Sequence, residues 1–176
     1  MTTKTISYKD GYKYQLRGNP RSVLWSVYDD CYIYSLPKAP STGISSGNTL
    51  LKFCGIKVIN QDNIRLRINV GYAWDGASGP TIDTKDSMVA TLVHDVGYQL
   101  IRQGILSEEI WKDYFDQLFY DIFLADAIAT ANKRKFAIMR VVGRARAKVR
   151  AKIWLIAVKN FGSMALKSPR EIKHAP

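Results

Sequence analysis

The chain is short of the residues that build metal frameworks and redox centres. It has 2 cysteines, Cys31 and Cys54, and 2 histidines, His94 and His174, among 176 residues. No spacing among them matches a zinc site or a disulfide framework. Two free, half-buried thiols in strand-like surroundings are therefore expected. No apolar run approaches the ~20 residues that cross a bilayer. The opening MTTKTISYKDGYKY is polar and aromatic, unlike the basic start and apolar run of a secretory signal. These absences point to a soluble protein made in a cytoplasm. Glycine and proline, at 12 and 6, are too sparse for low-complexity chain, and 47% hydrophobic content supports a proper core.

Acidic residues are nearly missing from the C-terminal part. Residues 127–176 hold 13 Lys/Arg and one acid, Glu171, whereas residues 1–126 hold 13 basic and 14 acidic side chains. The formal net charge of +11 thus resides in the tail. Such a field attracts nucleic acid, anionic lipid headgroups or an acidic partner. The candidate anion- or nucleic-acid-binding residues are Arg140, Arg144, Arg146, Lys148, Arg150 and Lys152. Arg140, Arg144, Lys148 and Lys152 form one i, i+4 stripe, but Arg146 and Arg150 fall on nearly the opposite side, so the helix is not cleanly amphipathic. Apolar character returns at Ile153 to Val158. No nucleic-acid motif or basic–aromatic platform is present, so contact with nucleic acid would be sequence-independent and salt-sensitive. A solvated helix whose basic stems lie along the core is the plain alternative.

What is there reads as α+β: an N-terminal antiparallel sheet packed against about three helices, the first two an antiparallel pair. One domain over residues 1–176 divides into a β-rich part (1–80), a helix pair (81–126) and a basic helical tail (127–176). VLWSVYDDCYIYSL, NTLLKFCGIKVIN and NIRLRINVGYAW are β-branched and aromatic. Ile64, Leu66 and Ile68 alternate with polar residues, as in a strand with one wet face. SLPKAPSTGISSGN reads as loop and as the most mobile segment. Asp83 or Thr84 can cap the first helix, with Asp86 in its first turn and Gly104 at its end. Ser107 caps a second, and a third runs from about Ala131 to Phe161.

The first helix carries His94 and Asp95 in an otherwise apolar run. His94 and Tyr98 are i and i+4 and share a face, while Asp95 lies about 100° around and is poorly placed to orient its neighbour. A histidine acting as a base needs a carboxylate on its other nitrogen, and the next helix offers Asp113, Asp116 and Asp121. Asp95 is then free to bind a cation together with Asp75 of the glycine-rich loop GYAWDGASGP, since a hard cation takes carboxylate and carbonyl oxygens. Gly97, unfavourable in mid-helix, implies very close packing there. A buried network that merely pins helix to helix is the structural alternative.

At these residues the chain resembles a family of tailed-phage and prophage proteins classed as a domain of unknown function. The matching motifs are Gly71-Tyr72, then Trp74-Asp75-Gly76-Ala77-Ser78-Gly79-Pro80, then His94-Asp95-Val96-Gly97-Tyr98. Asp116-Gln117-Leu118-Phe119 and Val158-Lys159-Asn160-Phe161-Gly162 follow, so the resemblance covers roughly residues 50 to 162. Phe115 stands where the family has alanine, and Asp113 offers a second alignment for Asp116. The resemblance implies synthesis in a host cytoplasm and association with phage structural proteins or the virion. The same core is similar to secretory and parvoviral phospholipases. That similarity implies His94 as general base, Asp116 as its orienter, and Tyr98 in support. It further implies calcium held by Asp95 and the Tyr72–Gly79 loop, with Tyr72, Asp75, Gly76 and Gly79, and host membrane lipid or another ester as substrate. The disulfides of the secretory forms are missing here, and Asp75 departs from their carbonyl-only loop.

Overall fold

The computed structural model describes residues 7–9, 14–17, 31–45, 47–60, 63–76 and 84–167. The alternation in NIRLRIN produces β6 (Asn63–Asn69), whose Ile64, Leu66 and Ile68 are buried while the residues between them stay half-exposed. β6 is flanked by β3 (Cys31–Leu36) and β5 (Cys54–Asn60), with β4 (Asn48–Leu50) at the far edge. All three pairings are antiparallel. A second, three-stranded antiparallel sheet is formed by β1 (Ser7–Lys9), β2 (Tyr14–Arg17) and β7 (Ala73–Trp74). The single sheet expected from sequence is therefore two. Gly71 accounts for the division: at φ +88° it turns the chain out of β6, a conformation a side chain disfavours. Its N–H donates to the Leu16 carbonyl, and the Leu16 N–H donates to Tyr72, which stitches β7 to β2.

Three helices follow. A 3-10 turn, Lys85–Ser87, leads into α1 (Met88–Arg102), and the Ser87 hydroxyl accepts the Thr84 N–H. α1 is buried around most of its circumference. It stops at Gly104, φ +70°, and residues 103–107 turn the chain into α2 (Glu108–Asn132). Ser107 occupies the N-cap position with Glu108 and Glu109 in the first turn, where negative charge is favoured. α3 spans Ala137–Lys167, six residues later than expected. Ala127 and Ala131 continue the buried face of α2 past the expected break, and no glycine or proline marks its end.

The segment expected to be most mobile is tied to the start of α2. Trp111 Nε1 donates to the Thr42 carbonyl, Tyr114 Oη donates to that of Pro37, and the Ser107 N–H donates to that of Gly43. Ile44 bridges Leu106. Both cysteines are thiols outside any disulfide and are fully buried, not half-buried, and burial pushes the Cys54 thiol up to about 12. The apolar core runs continuously from Leu16 and the β6 residues through α1 to Trp111, Phe115 and Phe123 of α2. Among the described residues no helix is long and apolar enough to cross a membrane.

Candidate active site

α1 and α2 pack antiparallel, and their facing sides bring His94 against Asp116. His94 Nε2 lies 3.0 Å from Asp116 Oδ1. Tyr98 Oη donates to the same oxygen at 2.7 Å, and Lys112 Nζ donates to Oδ2 at 2.9 Å. The carboxylate is fully buried and has three donors around it. Burial opposes ionisation of Asp116, but hydrogen bonds from His94, Tyr98 and Lys112 outweigh it and hold its pKa below the usual carboxylate value. An ionised Asp116 only accepts, so it fixes the neutral ring of His94 as the Nε2–H tautomer and leaves the lone pair on Nδ1.

Nδ1 faces a second carboxylate. Asp95 Oδ1 is 3.7 Å away, an ion-pair distance beyond hydrogen-bond reach. Asp95 thus lies near the ring although it sits about 100° around the helix from the His94–Tyr98 face. The side chains bend toward each other although the helix separates their Cβ atoms. Burial favours the neutral imidazole, yet the carboxylates of Asp116 and Asp95 raise the His94 pKa above 6.5. The His94 side chain is 11% exposed and that of Asp95, beside Nδ1, is 30% exposed, whereas Asp116, beside Nε2, is fully buried. The ring is held in place by Tyr98, at 4.1 Å between centroids, and by the edge of Phe119 at 5.5 Å.

Two glycines set the spacing. A Cβ on Gly97 would lie 2.5 Å from the Phe115 ring, so the close packing implied by a mid-helix glycine is with α2, not with a ligand. Phe115 fills the notch that Gly97 leaves. Gly162 of α3 lies against the Tyr98 hydroxyl, leaving no room for a methyl group. Sequence reasoning assigned no role to Lys112 or Gly162. The Lys112–Asp116 i, i+4 spacing was the available signal for the first; nothing local identifies the second. Asp113, the second choice as orienter, is exposed, and so is Asp121.

Of the residues assigned to calcium, Tyr72 and Gly76 are buried and Asp75 is exposed. Gly76 has φ +71°, in the left-handed region that favours glycine. Gly79 lies outside the described residues, as do His174, Asp83 and the rest of the loop to Pro80. Among the described residues no group of three or more His, Cys, Asp or Glu side chains is arranged to hold a metal ion. Partial burial raises the Asp95 pKa; His94 and Arg102 oppose this, and the Asp75 charge adds to it.

The basic residues of α3 are not equivalent. Arg140 donates to the carbonyls of Arg134 and Lys135, and Arg144 donates to Asn132 Oδ1. Arg150 lies 5.3 Å over the Phe123 ring and reaches Thr84 Oγ1 at 3.4 Å. Arg146, Lys148 and Lys152 project into solvent. The inner face of α3 is a seam of small residues, Gly143, Ala147 and Ala151, followed by Trp154, which stacks on Phe119 and Phe123. No protein-family model, curated protein or solved structure matches the chain.

Proposed function

We propose that the His94–Asp116 pair is the general base of an ester hydrolase of phospholipase type, in a phage protein of the family that the motifs resemble. The observation that carries this reading is the 3.0 Å contact from His94 Nε2 to a carboxylate on the partner helix, with Nδ1 left toward the more exposed side. Nδ1 takes a proton from a water molecule, whose oxygen attacks the ester carbonyl. Collapse of the tetrahedral intermediate expels the alcohol, which leaves with the proton from the imidazolium. Asp116 keeps the ring in register and stabilises its charge; Tyr98 and Lys112 keep Asp116 ionised. Asp95, with Asp75 and the carbonyls of the Tyr72–Gly76 stretch, would hold calcium, which supplies charge stabilisation for the oxyanion. Two carboxylates beside the ring make it a stronger base and move its working range above pH 6.5.

The test is ester release from mixed phospholipid vesicles by wild type, His94→Ala and Asp113→Asn. Release by wild type and by Asp113→Asn, with loss in His94→Ala, is expected. Equal rates for wild type and His94→Ala at matched folding would remove the enzyme.

A second reading is favoured by one observation: Asp116 is sealed and fully satisfied by three donors, as a purely architectural network would be. The protein is then a non-enzymatic virion or assembly component, with Arg144, Arg146, Lys148 and Lys152 contacting DNA or an acidic protein. Retention on DNA should fall steeply between about 50 and 200 mM salt. Salt-independent retention contradicts the DNA contact.

A further inference from the structure

α3 carries a second apolar face that the fold does not cover. Ile138, Val142, Val149, Ile153 and Ile156 are each 45–74% exposed. With Ala145, also exposed, they recur at intervals of four and three residues, the spacing of a coiled-coil seam. At 3.6 residues per turn this row lies opposite the buried Gly143–Ala147–Ala151–Trp154 seam. The helix is thus apolar on two opposite sides, which is why its sequence looked undivided. The outer row runs for about 27 Å, or five turns. Lys148, Lys152 and Lys159, with Val141, border it on one side and Arg146, with Met139, on the other, all exposed. Residues 127–167 contain no acid.

We infer that this outer face of α3 docks an amphipathic helix of a partner protein that carries Asp and Glu on both flanks of its own apolar row. Three features select that occupant. From Ala145 onward the row is narrow, and all its members but Ala145 are β-branched, which suits the positions that interlock between two helices; Met139 and Val141 widen it at the N-terminal end. Its charged border residues, Lys148, Lys152 and Lys159 on one side and Arg146 on the other, are all basic, so a facing helix with acidic flanks gains an ion pair at each of these positions. A second copy of this chain would set lysine and arginine against lysine and arginine, which excludes self-pairing through this face. A bilayer surface is less suited, because basic side chains crowd the row along its middle and an in-plane helix presents a broad apolar sector. The docking face is separate from His94, so its fate and that of the hydrolase reading are independent.

The probe is a three-heptad helical peptide with Ile and Leu at its core positions and Glu on both flanks, labelled for fluorescence anisotropy. A control peptide carries Lys at the flanking positions. The full chain should bind the Glu peptide at least tenfold more tightly than the Lys peptide. Val149→Ser with Ile153→Ser, both exposed and tolerant of substitution, should weaken that binding about tenfold without altering the circular-dichroism spectrum. His94→Ala should bind as wild type does. Equal binding of the two peptides, or none, overturns the inference. So does tighter binding to phosphatidylglycerol vesicles or to duplex DNA than to the Glu peptide.

Discussion

Asp116→Asn removes one charge and almost no volume from the centre of the helix pair. The asparagine oxygen can still accept from His94 and Tyr98, but its amide group turns two donors toward the Lys112 ammonium, which loses its counter-ion. Hydrogen bonds to a charged acceptor contribute about 1.5–3 kcal/mol each, and summing three overcounts because they share one carboxylate. Removing one member of a buried ion pair typically costs about 3–5 kcal/mol. The Lys112 side chain is 15% exposed and can swing outward, which places the expected loss near the lower end, about 3 kcal/mol. For a chain of this size that corresponds to a melting temperature lower by about 6–12 °C.

The assay is urea unfolding of both proteins across pH. Folded His94 binds its proton more tightly than the unfolded chain does. Its contribution is complete below pH 6.5 and fades as pH rises through the raised value. Folded Asp116 releases its proton more readily, so its contribution is complete above pH 3.8 and fades as pH falls through the lowered value. The gap between wild type and Asp116→Asn should therefore be widest between those two limits. A loss below about 1 kcal/mol there would refute the reasoning, because it would mean that the carboxylate is not the charged hub of the network.

Gly97→Ala drives a methyl group into the Phe115 ring; about 1–3 kcal/mol of overpacking should exceed the ~1 kcal/mol gained in helix propensity, with Phe115→Leu restoring part of the loss in thermal melts. Gly162→Ala should displace the Tyr98 hydroxyl from Asp116 and be read as a changed tyrosine absorbance titration; an unchanged titration contradicts the contact. Millimolar calcium should raise the melting temperature of wild type and not that of Asp95→Asn, since a ligand at a hundred times its Kd stabilises the fold by about 2.7 kcal/mol. Equal shifts in the two proteins would exclude Asp95 as a ligand.

The parts legible in the sequence were those with one period and one environment. β6 alternates cleanly because one face meets the core, and α1 reads as buried because apolar residues surround His94. The partner of His94 was narrowed to three aspartates by the short turn between the helices, and burial singles out Asp116. What escaped has a common cause in tertiary context. Gly71 divides one apparent sheet into two through a backbone angle, and Gly97 could be recognised as a contact without revealing that Phe115 fills it. The Pro/Gly/Ser segment looked free because the side chains that tie it down, Trp111 and Tyr114, lie far along the chain. α3 hid its pattern because two opposite apolar faces cancel each other in any measure of amphipathicity. Of the apolar run from Ile153 to Val158, Ile153 and Ile156 belong to the outer face.

The proposed chemistry depends on which nitrogen of His94 carries the proton. Long-range nitrogen–proton NMR correlation through a pH titration reads it directly in the intact chain. The neutral ring should be the Nε2–H tautomer, titrating above 6.5 in wild type, with the midpoint lower in Asp116→Asn. A proton on Nδ1, or a midpoint that Asp116→Asn leaves in place, would contradict a base oriented from the second helix.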